Sequence, residues 1–311
     1  MTTVWLCPGQ GAQKVGMGKD LAERFPAARD TLHAIDDALG VKLSRMMFDG
    51  PEADLTLTHN AQPAILAHSA AVFAVVGPKV KDAAAAAGHS LGEYSAYVSA
   101  GALTAADAAR LVRRRGELMH DAGTKRPGTM AAVLGLATAT VEAACREASV
   151  GAQVVVAANL NTGDQTVISG DPAAIDRASA ACLAAGAKRV LPLKVSGAFH
   201  SPLMAPAVAD LTKALAAAPF HDPKFPIVAN ATAQPVTKAA EARRLLAEQL
   251  TAPVRWVACM ERIAGIAGGT ARYLEIGPGA VLAGLLKRNV PGAAVTSLGT
   301  ADDVTKFLEA A

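Results

Sequence analysis

The sequence predicts an α/β protein in which a mainly parallel sheet, covered by helices on both faces, is interrupted by a compact unit of order β-α-β-β-α-β. Three observations carry this. Strand-like and helical runs alternate at both ends of the chain, the pattern of helices wrapped around a parallel sheet. In the middle, hydrophobic period and turn residues change in the order of a ferredoxin-like unit. The chain has 311 residues, 51% hydrophobic and 18% charged, enough for a large buried core and too apolar for a disordered chain.

The N-terminal segment opens with a strand at Val4 to Cys7 and continues through helices near Lys19 to Phe25 and Ala64 to Val76. The longest mostly apolar stretch, Ala61 to Val76, contains Gln62, Pro63, His68 and Ser69. It falls short of the ~20 apolar residues that span a bilayer and reads as a buried core helix. Next, Lys81-Asp-Ala-Ala-Ala-Ala-Ala87 favours helix by propensity. Thr104 can cap a following helix, with Asp107 at its third position as in a capping box.

Thr129 to Leu136 is a strand-like run and Thr140 to Ala148 has helical composition. Two β-branched runs, Gln153 to Ala158 and Gln165 to Ser169, are separated by the turn-rich Asn159-Leu-Asn-Thr-Gly-Asp164. Asp171 then offers an N-cap before Pro172, the helix runs to about Ala185, Gly186 ends it, and Lys188 to Val195 reads as a last strand. This unit of about 70 residues divides the chain into a large domain, residues 1–124 and 196–311, and an inserted subdomain, 125–195. The C-terminal segment carries a strand at Ile227 to Ala229, a helix at Ala239 to Leu250 and a strand at Arg272 to Ile276. Gly277-Pro-Gly279 then reads as a turn into a helix ending near Arg288, though such a turn could also hold an anion on helix N–H groups.

Composition removes whole classes of function. Alanine supplies roughly a quarter of the chain and inflates its apolar fraction with small side chains. A net charge of +3 with 4% aromatics gives neither the basic stripe nor the stacking platforms of a nucleic-acid binder. Mild basicity does permit an acidic protein partner. Cys7, Cys145, Cys182 and Cys259 are scattered without a C-x-x-C pair, so reduced, buried thiols are expected rather than disulfides or a zinc site. MTTVWLCPGQ shows no basic segment followed by an apolar run, and a cytoplasmic location with no membrane contact is expected.

Gly88-His-Ser-Leu-Gly92 matches G-x-S-x-G, the sharp strand-to-helix turn that lifts a serine hydroxyl to the end of a sheet. A helical reading of the preceding alanines counts against it, because an elbow needs a strand there. A serine nucleophile needs a base. Among seven histidines, His68 falls in an apolar helix, His33, His59, His120 and His221 read as surface or loop residues, and His89 points away on the sharp turn. His200, in Ser196-Gly-Ala-Phe-His-Ser-Pro202, lies where the chain re-enters the large domain. In the Ser-before-His order it is the best base candidate.

At about 100° per residue, Ala108, Leu111, Val112, Leu118 and Met119 share one stripe of the helix after Thr104, and Arg115 projects into its middle. Arginine keeps its proton, so a buried one needs an anionic partner. Two readings stand: an internal Asp or Glu or a snorkel to the surface, or a ligand carboxylate held by two parallel N–H···O bonds. Pro8-Gly-Gln-Gly-Ala-Gln13 follows the first strand, at the carboxyl end of the sheet where ligands of such folds bind. It lacks the third glycine of a dinucleotide fingerprint and the Lys-Ser/Thr of a P-loop.

With these residues in view, the chain resembles the malonyl-CoA:acyl-carrier-protein transacylases of fatty-acid synthesis and their relatives in polyketide synthases. The matching segments are the PGQGAQ loop, Gly88-His-Ser-Leu-Gly-Glu-Tyr94, Arg115-Gly-Glu-Leu-Met119, Asn159-Leu-Asn161, Gly197-Ala-Phe-His-Ser201, Gln249-Leu-x-x-Pro-Val-Arg-Trp256 and Glu275-Ile-Gly-Pro-Gly279. The resemblance implies an α/β-hydrolase-like large domain with an inserted ferredoxin-like subdomain. It implies Ser90 as nucleophile, His200 as base oriented by the Gln249 carbonyl, and backbone N–H groups of Gln10 and Leu91 as oxyanion hole. Arg115 would bind the malonyl carboxylate, and Phe199 would favour malonyl over methylmalonyl. The partners implied are malonyl-CoA and acyl carrier protein, with a monomeric enzyme and no cofactor or metal.

Departures from the family pattern are the alanine-rich strand before the elbow, Cys7 in place of an aromatic, and Ala280 where lysine is common. Acyl carrier proteins are acidic, which makes Lys125-Arg126, Lys188-Arg189 and Lys287-Arg288 docking candidates alongside their reading as solvated surface charge. The rival functions are a serine thioesterase or esterase, a stand-alone acyltransferase of a polyketide synthase or malonate decarboxylase system, and a catalytically silent scaffold. A histidine base is expected to titrate between about pH 5 and 8.

Overall fold

The computed structural model describes residues 2–310. Among them ten strands form two sheets: β1 (Thr3–Cys7), β2 (Ala83–Gly88), β3 (Thr129–Leu134), β4 (Val155–Thr162), β5 (Gln165–Gly170), β6 (Arg189–Pro192), β7 (Ile227–Val228), β8 (Pro235–Val236), β9 (Arg272–Ile276) and β10 (Ala294–Leu298). The large sheet has the order β10-β9-β1-β2-β7-β8 and the small one β4-β5-β3-β6. Pairing in the large sheet is parallel except at the edge pair β7–β8. In the small sheet it is antiparallel throughout. The small sheet and its two helices, Thr138–Ala148 and Pro172–Ala184, give the ferredoxin-like order read from the sequence.

Both faces of the large sheet are buried, which is why its strands read as continuous apolar runs. On one face Trp5, Cys7 and Ala86 pack with Ile65, Leu66 and Tyr94. On the other, Val4, Leu6, Ala85 and Ala87 pack with Trp256, Met260 and Ile263. The alanine run is strand β2, against its helix propensity. It lies between β1 and β7, and tertiary pairing overrides local preference. Small side chains at this central strand leave room for helices on both faces, whose larger residues fill the space.

The Thr58–Val76 helix begins six residues before the expected start. By length and composition alone it could cross a membrane, but most of it is buried inside the protein. Thr104 caps the Ala105–Lys125 helix by accepting from the Asp107 N–H, as expected. The four cysteines are free and buried.

Several expectations are corrected. Asn159 to Thr162 belong to β4, not to a loop, and only Gly163 and Asp164 turn the chain into β5. The cause is tertiary: Leu160 N–H donates to the Val254 carbonyl at 2.9 Å and Val254 N–H to the Ala158 carbonyl at 2.8 Å, tying β4 to the large domain. Asp171 occupies the N-cap position but makes no cap bond. Its carboxylate accepts instead from the Val154 N–H and from Arg126. Helices Pro26–Leu39, Leu43–Asp49, Glu52–Thr56, Ala205–Ala217, Trp256–Ala267 and Ala301–Ala310, and strands β8 and β10, were not anticipated.

Candidate active site

The glycines of the G-x-S-x-G turn are fixed by backbone crowding. A Cβ on Gly88 would lie 1.9 Å from the Gly92 carbonyl carbon, and one on Gly92 would lie 2.2 Å from the Cys7 carbonyl oxygen. Between them Ser90 adopts φ 55°, a left-handed conformation that a non-glycine residue holds only when its surroundings enforce it. Asn230, which follows β7, brackets the turn: its Oδ1 accepts from the Ser90 N–H at 2.7 Å and its Nδ2 donates to the Gly88 carbonyl at 2.8 Å.

His200 also sits at φ 55° and is buried. Its Nδ1 lies 2.9 Å from the Gln249 carbonyl, which can only accept. That assigns the proton to Nδ1 and leaves the Nε2 lone pair for the Ser90 hydroxyl, 2.7 Å away. Burial, reinforced by the Arg115 charge, pushes His200 down to about 3. That lies below the range near neutrality expected of a histidine base from the sequence.

Arg115 is 1% exposed. Its Nη1 donates to Gln62 Oε1 at 2.8 Å, and Nη2 donates to Gln249 Oε1 at 2.9 Å and to Ser90 Oγ at 3.0 Å. The Nε–H is buried without a partner among the described residues. Gly116 lets this helix approach the start of the Thr58–Val76 helix, since a Cβ there would lie 2.6 Å from His59 Cα. The partners of the guanidinium are neutral amides and a hydroxyl. Neither an internal carboxylate contact nor a surface snorkel is what the fold provides.

The nearest buried acid, Glu93, is 0% exposed. Its Oε2 accepts from Gln249 Nε2 at 2.8 Å and from the Asn230 N–H at 2.9 Å. Burial raises its carboxyl to about 7 against the opposing pull of these bonds and of Arg115. Gln249 Nε2 also donates to the Ser90 carbonyl at 3.1 Å. Gln249 is thus a junction between the nucleophile, the base, the guanidinium and the buried acid.

The loop after β1 closes the other side. Gly9 lies against the elbow, where a Cβ would meet the His89 carbonyl at 2.6 Å. Among the described residues neither Gln10 nor Leu91 donates its backbone N–H to a carbonyl or side chain. A cavity of about 250 Å³ is lined by Gln10, Ser90, Met119, Phe199, His200 and Lys194, among others. A larger surface hollow of about 550 Å³ near Thr232, Arg255 and Arg262 contains none of these residues.

The structure thus brings Ser90, His200, Arg115, Gln249, Gln10 and Phe199 together and places Leu91 beside the nucleophile. His89 lines the same cavity, but its Nε2 is engaged 2.9 Å from Asn161 Oδ1, and His68 is a core residue whose Nε2 meets the Gly299 carbonyl at 3.1 Å. The helix after Gly277-Pro-Gly279 holds no free anion site, because the Glu275 carboxylate already accepts from the Leu282 and Ala283 N–H groups. Of the basic pairs, Arg126 is engaged with Asp171 and Arg288 with Asp164. Among the described residues, no group of three or more His, Cys, Asp or Glu could hold a metal ion.

Sequence reasoning missed Gln62, Glu93 and Asn230 as parts of the site. The available signals were a polar residue inside an apolar helix, an acid on a helix with little polar face, and an asparagine at the carboxyl end of a strand.

The acyl transferase domain family matches residues 4–311. The chain is 43% identical over 303 residues to the malonyl CoA-acyl carrier protein transacylase of Escherichia coli, covering 97% of each chain. It is 43% identical over 288 residues to that of Bacillus subtilis, covering 91% of this chain and 89% of the relative. Among solved structures, an acyl carrier protein S-malonyltransferase from Vibrio cholerae superposes with a TM-score of 0.93 at 38% identity, covering 99% of this chain and 100% of that one. A malonyl-transacylase solved in complex with a type II polyketide-synthase acyl-carrier protein superposes with a TM-score of 0.95 at 40% identity, with both chains fully covered. The chain belongs to the malonyl CoA-acyl carrier protein transacylase family of acyl transferases.

Proposed function

We propose that this protein transfers a malonyl group from malonyl-CoA to the phosphopantetheine thiol of an acyl carrier protein, in fatty-acid biosynthesis, through a malonyl ester on Ser90. The observation that carries this reading is Arg115, a buried guanidinium 3.0 Å from Ser90 Oγ whose partners among the described residues are neutral. A buried charge lacking a counter-ion in contact favours binding of an anion, and a malonyl thioester brings a carboxylate to that place. A general thioesterase or esterase has no use for it.

In the first half-reaction His200 Nε2 takes the Ser90 proton as Oγ attacks the thioester carbonyl. The N–H groups of Gln10 and Leu91 hold the oxyanion, each donor contributing about 3 kcal/mol. Collapse expels the CoA thiolate, which His200 protonates. The second half repeats these steps with the carrier thiol as nucleophile, giving ping-pong kinetics. Arg115 holds the acyl carboxylate while the thiols exchange. The same charge depresses His200, so pairing it with the substrate carboxylate restores basicity to His200 when it is needed.

The chemistry calls for no metal or organic cofactor. The acceptor is an acidic carrier protein, for which exposed Lys194 on the cavity lining offers a positive charge. Residues 125–195 act as a subdomain packed over a catalytic domain of residues 1–124 and 196–311, in a cytoplasmic monomer. Phe199, on the cavity wall, limits the size of the acyl group. The test is transfer from malonyl-CoA to the phosphopantetheinylated carrier, followed by the carrier's mass. Parallel double-reciprocal plots are expected; intersecting plots, or release of free malonate faster than transfer, would contradict the reading.

A further inference from the structure

Among the described residues Arg115 has no carboxylate in contact, yet a fully buried guanidinium is costly without compensating charge. Glu93 is the acid placed to supply it at one remove. Its Oε2 holds Gln249 Nε2 at 2.8 Å. That bond fixes the amide so that Gln249 Oε1 faces Arg115 at 2.9 Å, while the main chain of the same residue holds His200. Both donors to Glu93, Gln249 Nε2 and the Asn230 N–H, use Oε2, and Oε1 is buried without a partner among the described residues. A carboxylate with every lone pair bonded is locked in its ionised form. One with an entire oxygen bare is held there weakly.

We propose that Glu93 is the counter-ion and positioning residue of the acyl subsite: through Gln249 it balances Arg115 while the subsite is empty, and it takes up a proton from solvent when the carboxylate of an acyl group replaces it. This rests on the reading that Arg115 binds the malonyl carboxylate. Two anions around one buried cation would leave a net buried negative charge, and neutralising the one with the poorer hydrogen bonding removes it.

The groups facing Glu93 leave it as the member of its cluster free to change charge. Arg115 approaches from the Ala105–Lys125 helix, Tyr94 and Tyr97 from its own helix, Cys259 from the Trp256–Ala267 helix, and His200 lies across Gln249. Burial raises Tyr94, Tyr97 and Cys259, which stay neutral. Burial and Arg115 lower His200.

The experiment is single-turnover acylation in weakly buffered solution with a pH indicator, paired with intact-mass measurement of the acyl-enzyme. Attack by Ser90 and departure of CoA as the thiol consume no net proton. Uptake in step with malonyl ester formation therefore reports a change in the protein. Burial holds the Glu93 carboxyl well above the ordinary carboxylate range, so the uptake is expected to grow with rising pH, from a fraction of a proton per site toward one as the carboxyl of the unacylated enzyme becomes fully ionised. Acetyl-CoA, which brings no carboxylate, should give an acyl-enzyme without uptake. Glu93→Gln can keep both bonds at its amide oxygen, and it should lose the uptake while still forming the malonyl ester. Hydrolysis of malonyl-CoA releases a proton and is distinguished by sign. Equal signals for malonyl and acetyl, no uptake in a wild type that does acylate, or uptake that persists in Glu93→Gln would overturn the assignment to Glu93. Absence of any malonyl ester on the wild type would overturn the function reading and this inference with it.

Discussion

Arg115 and Glu93 are a buried base and a buried acid that, among the described residues, meet through the amide of Gln249, which accepts from Arg115 at 2.9 Å and donates to Glu93 at 2.8 Å. A direct ion pair would satisfy the guanidinium and close it to a ligand. Separation by one neutral amide keeps the field of the carboxylate while leaving the guanidinium open toward Ser90 Oγ.

Gln62 and Gln249 hold the two ends of Arg115, but only Gln249 also reaches His200 and Ser90. Gln62→Ala is therefore expected to lower kcat/KM for malonyl-CoA by about tenfold, the equivalent of one hydrogen bond to a charged group, and to leave acetyl transfer nearly unchanged. Gln249→Ala is expected to lower both. Steady-state kinetics with the two thioesters checks the split, and equal losses in Gln62→Ala would contradict the separate roles.

Arg115→Ala removes the group proposed to bind the malonyl carboxylate. Loss of one partner from a desolvated charge pair costs about 2–5 kcal/mol, so malonyl transfer should fall by roughly 10²-fold or more. Acetyl transfer should fall far less, because removing the guanidinium also lifts its depression of the His200 pKa. Equal losses for both substrates would remove the role assigned to Arg115.

Gly88→Ala places a methyl group 1.9 Å from the Gly92 backbone, with no flexible side chain to yield. The elbow must open, and a loss of stability above about 4 kcal/mol is expected. Chemical denaturation measures it; a variant within 1 kcal/mol of wild type, as for an ordinary surface change, would mean that the crowding at the elbow is not real.

Burial lowers His68 to about 4 and His200 to about 3 from an ordinary 6.5. As pH falls below 6.5 the unfolded chain binds both protons and the folded chain does not, so stability is lost, at up to about 1.4 kcal/mol per pH unit for each group. Glu93, raised from 4.5 to about 7, works in the opposite sense, because over that window the folded state keeps a proton that the unfolded state releases. The urea midpoint should therefore drop from pH 6.5 to pH 5 and drop more steeply in Glu93→Gln. A midpoint that stays level or rises in the wild type would contradict the neutral buried histidines.

Much of this site could be read from the chain because its chemistry is local. The glycines around Ser90 and the arginine on an apolar stripe are sequence patterns with a physical cause. What stayed hidden depends on partners brought together by the fold. The alanines of β2 have helical propensity and become strand through pairing with β1 and β7, and Asn159 to Thr162 extend β4 because Val254 lies beside them. Gln62, Glu93 and Asn230 come from three distant segments, so no spacing announces their network. The low pKa of His200 likewise arises from burial and from Arg115, neither visible in the residues around it.

Ser90 is proposed to carry the malonyl group between two thiols, and intact-mass measurement of the protein after mixing with malonyl-CoA tests this. The wild type should gain one malonyl group and lose it again when the phosphopantetheinylated carrier protein is added, while Ser90→Ala should gain none. No adduct on the wild type, or an adduct that persists in Ser90→Ala, would contradict acylation at Ser90.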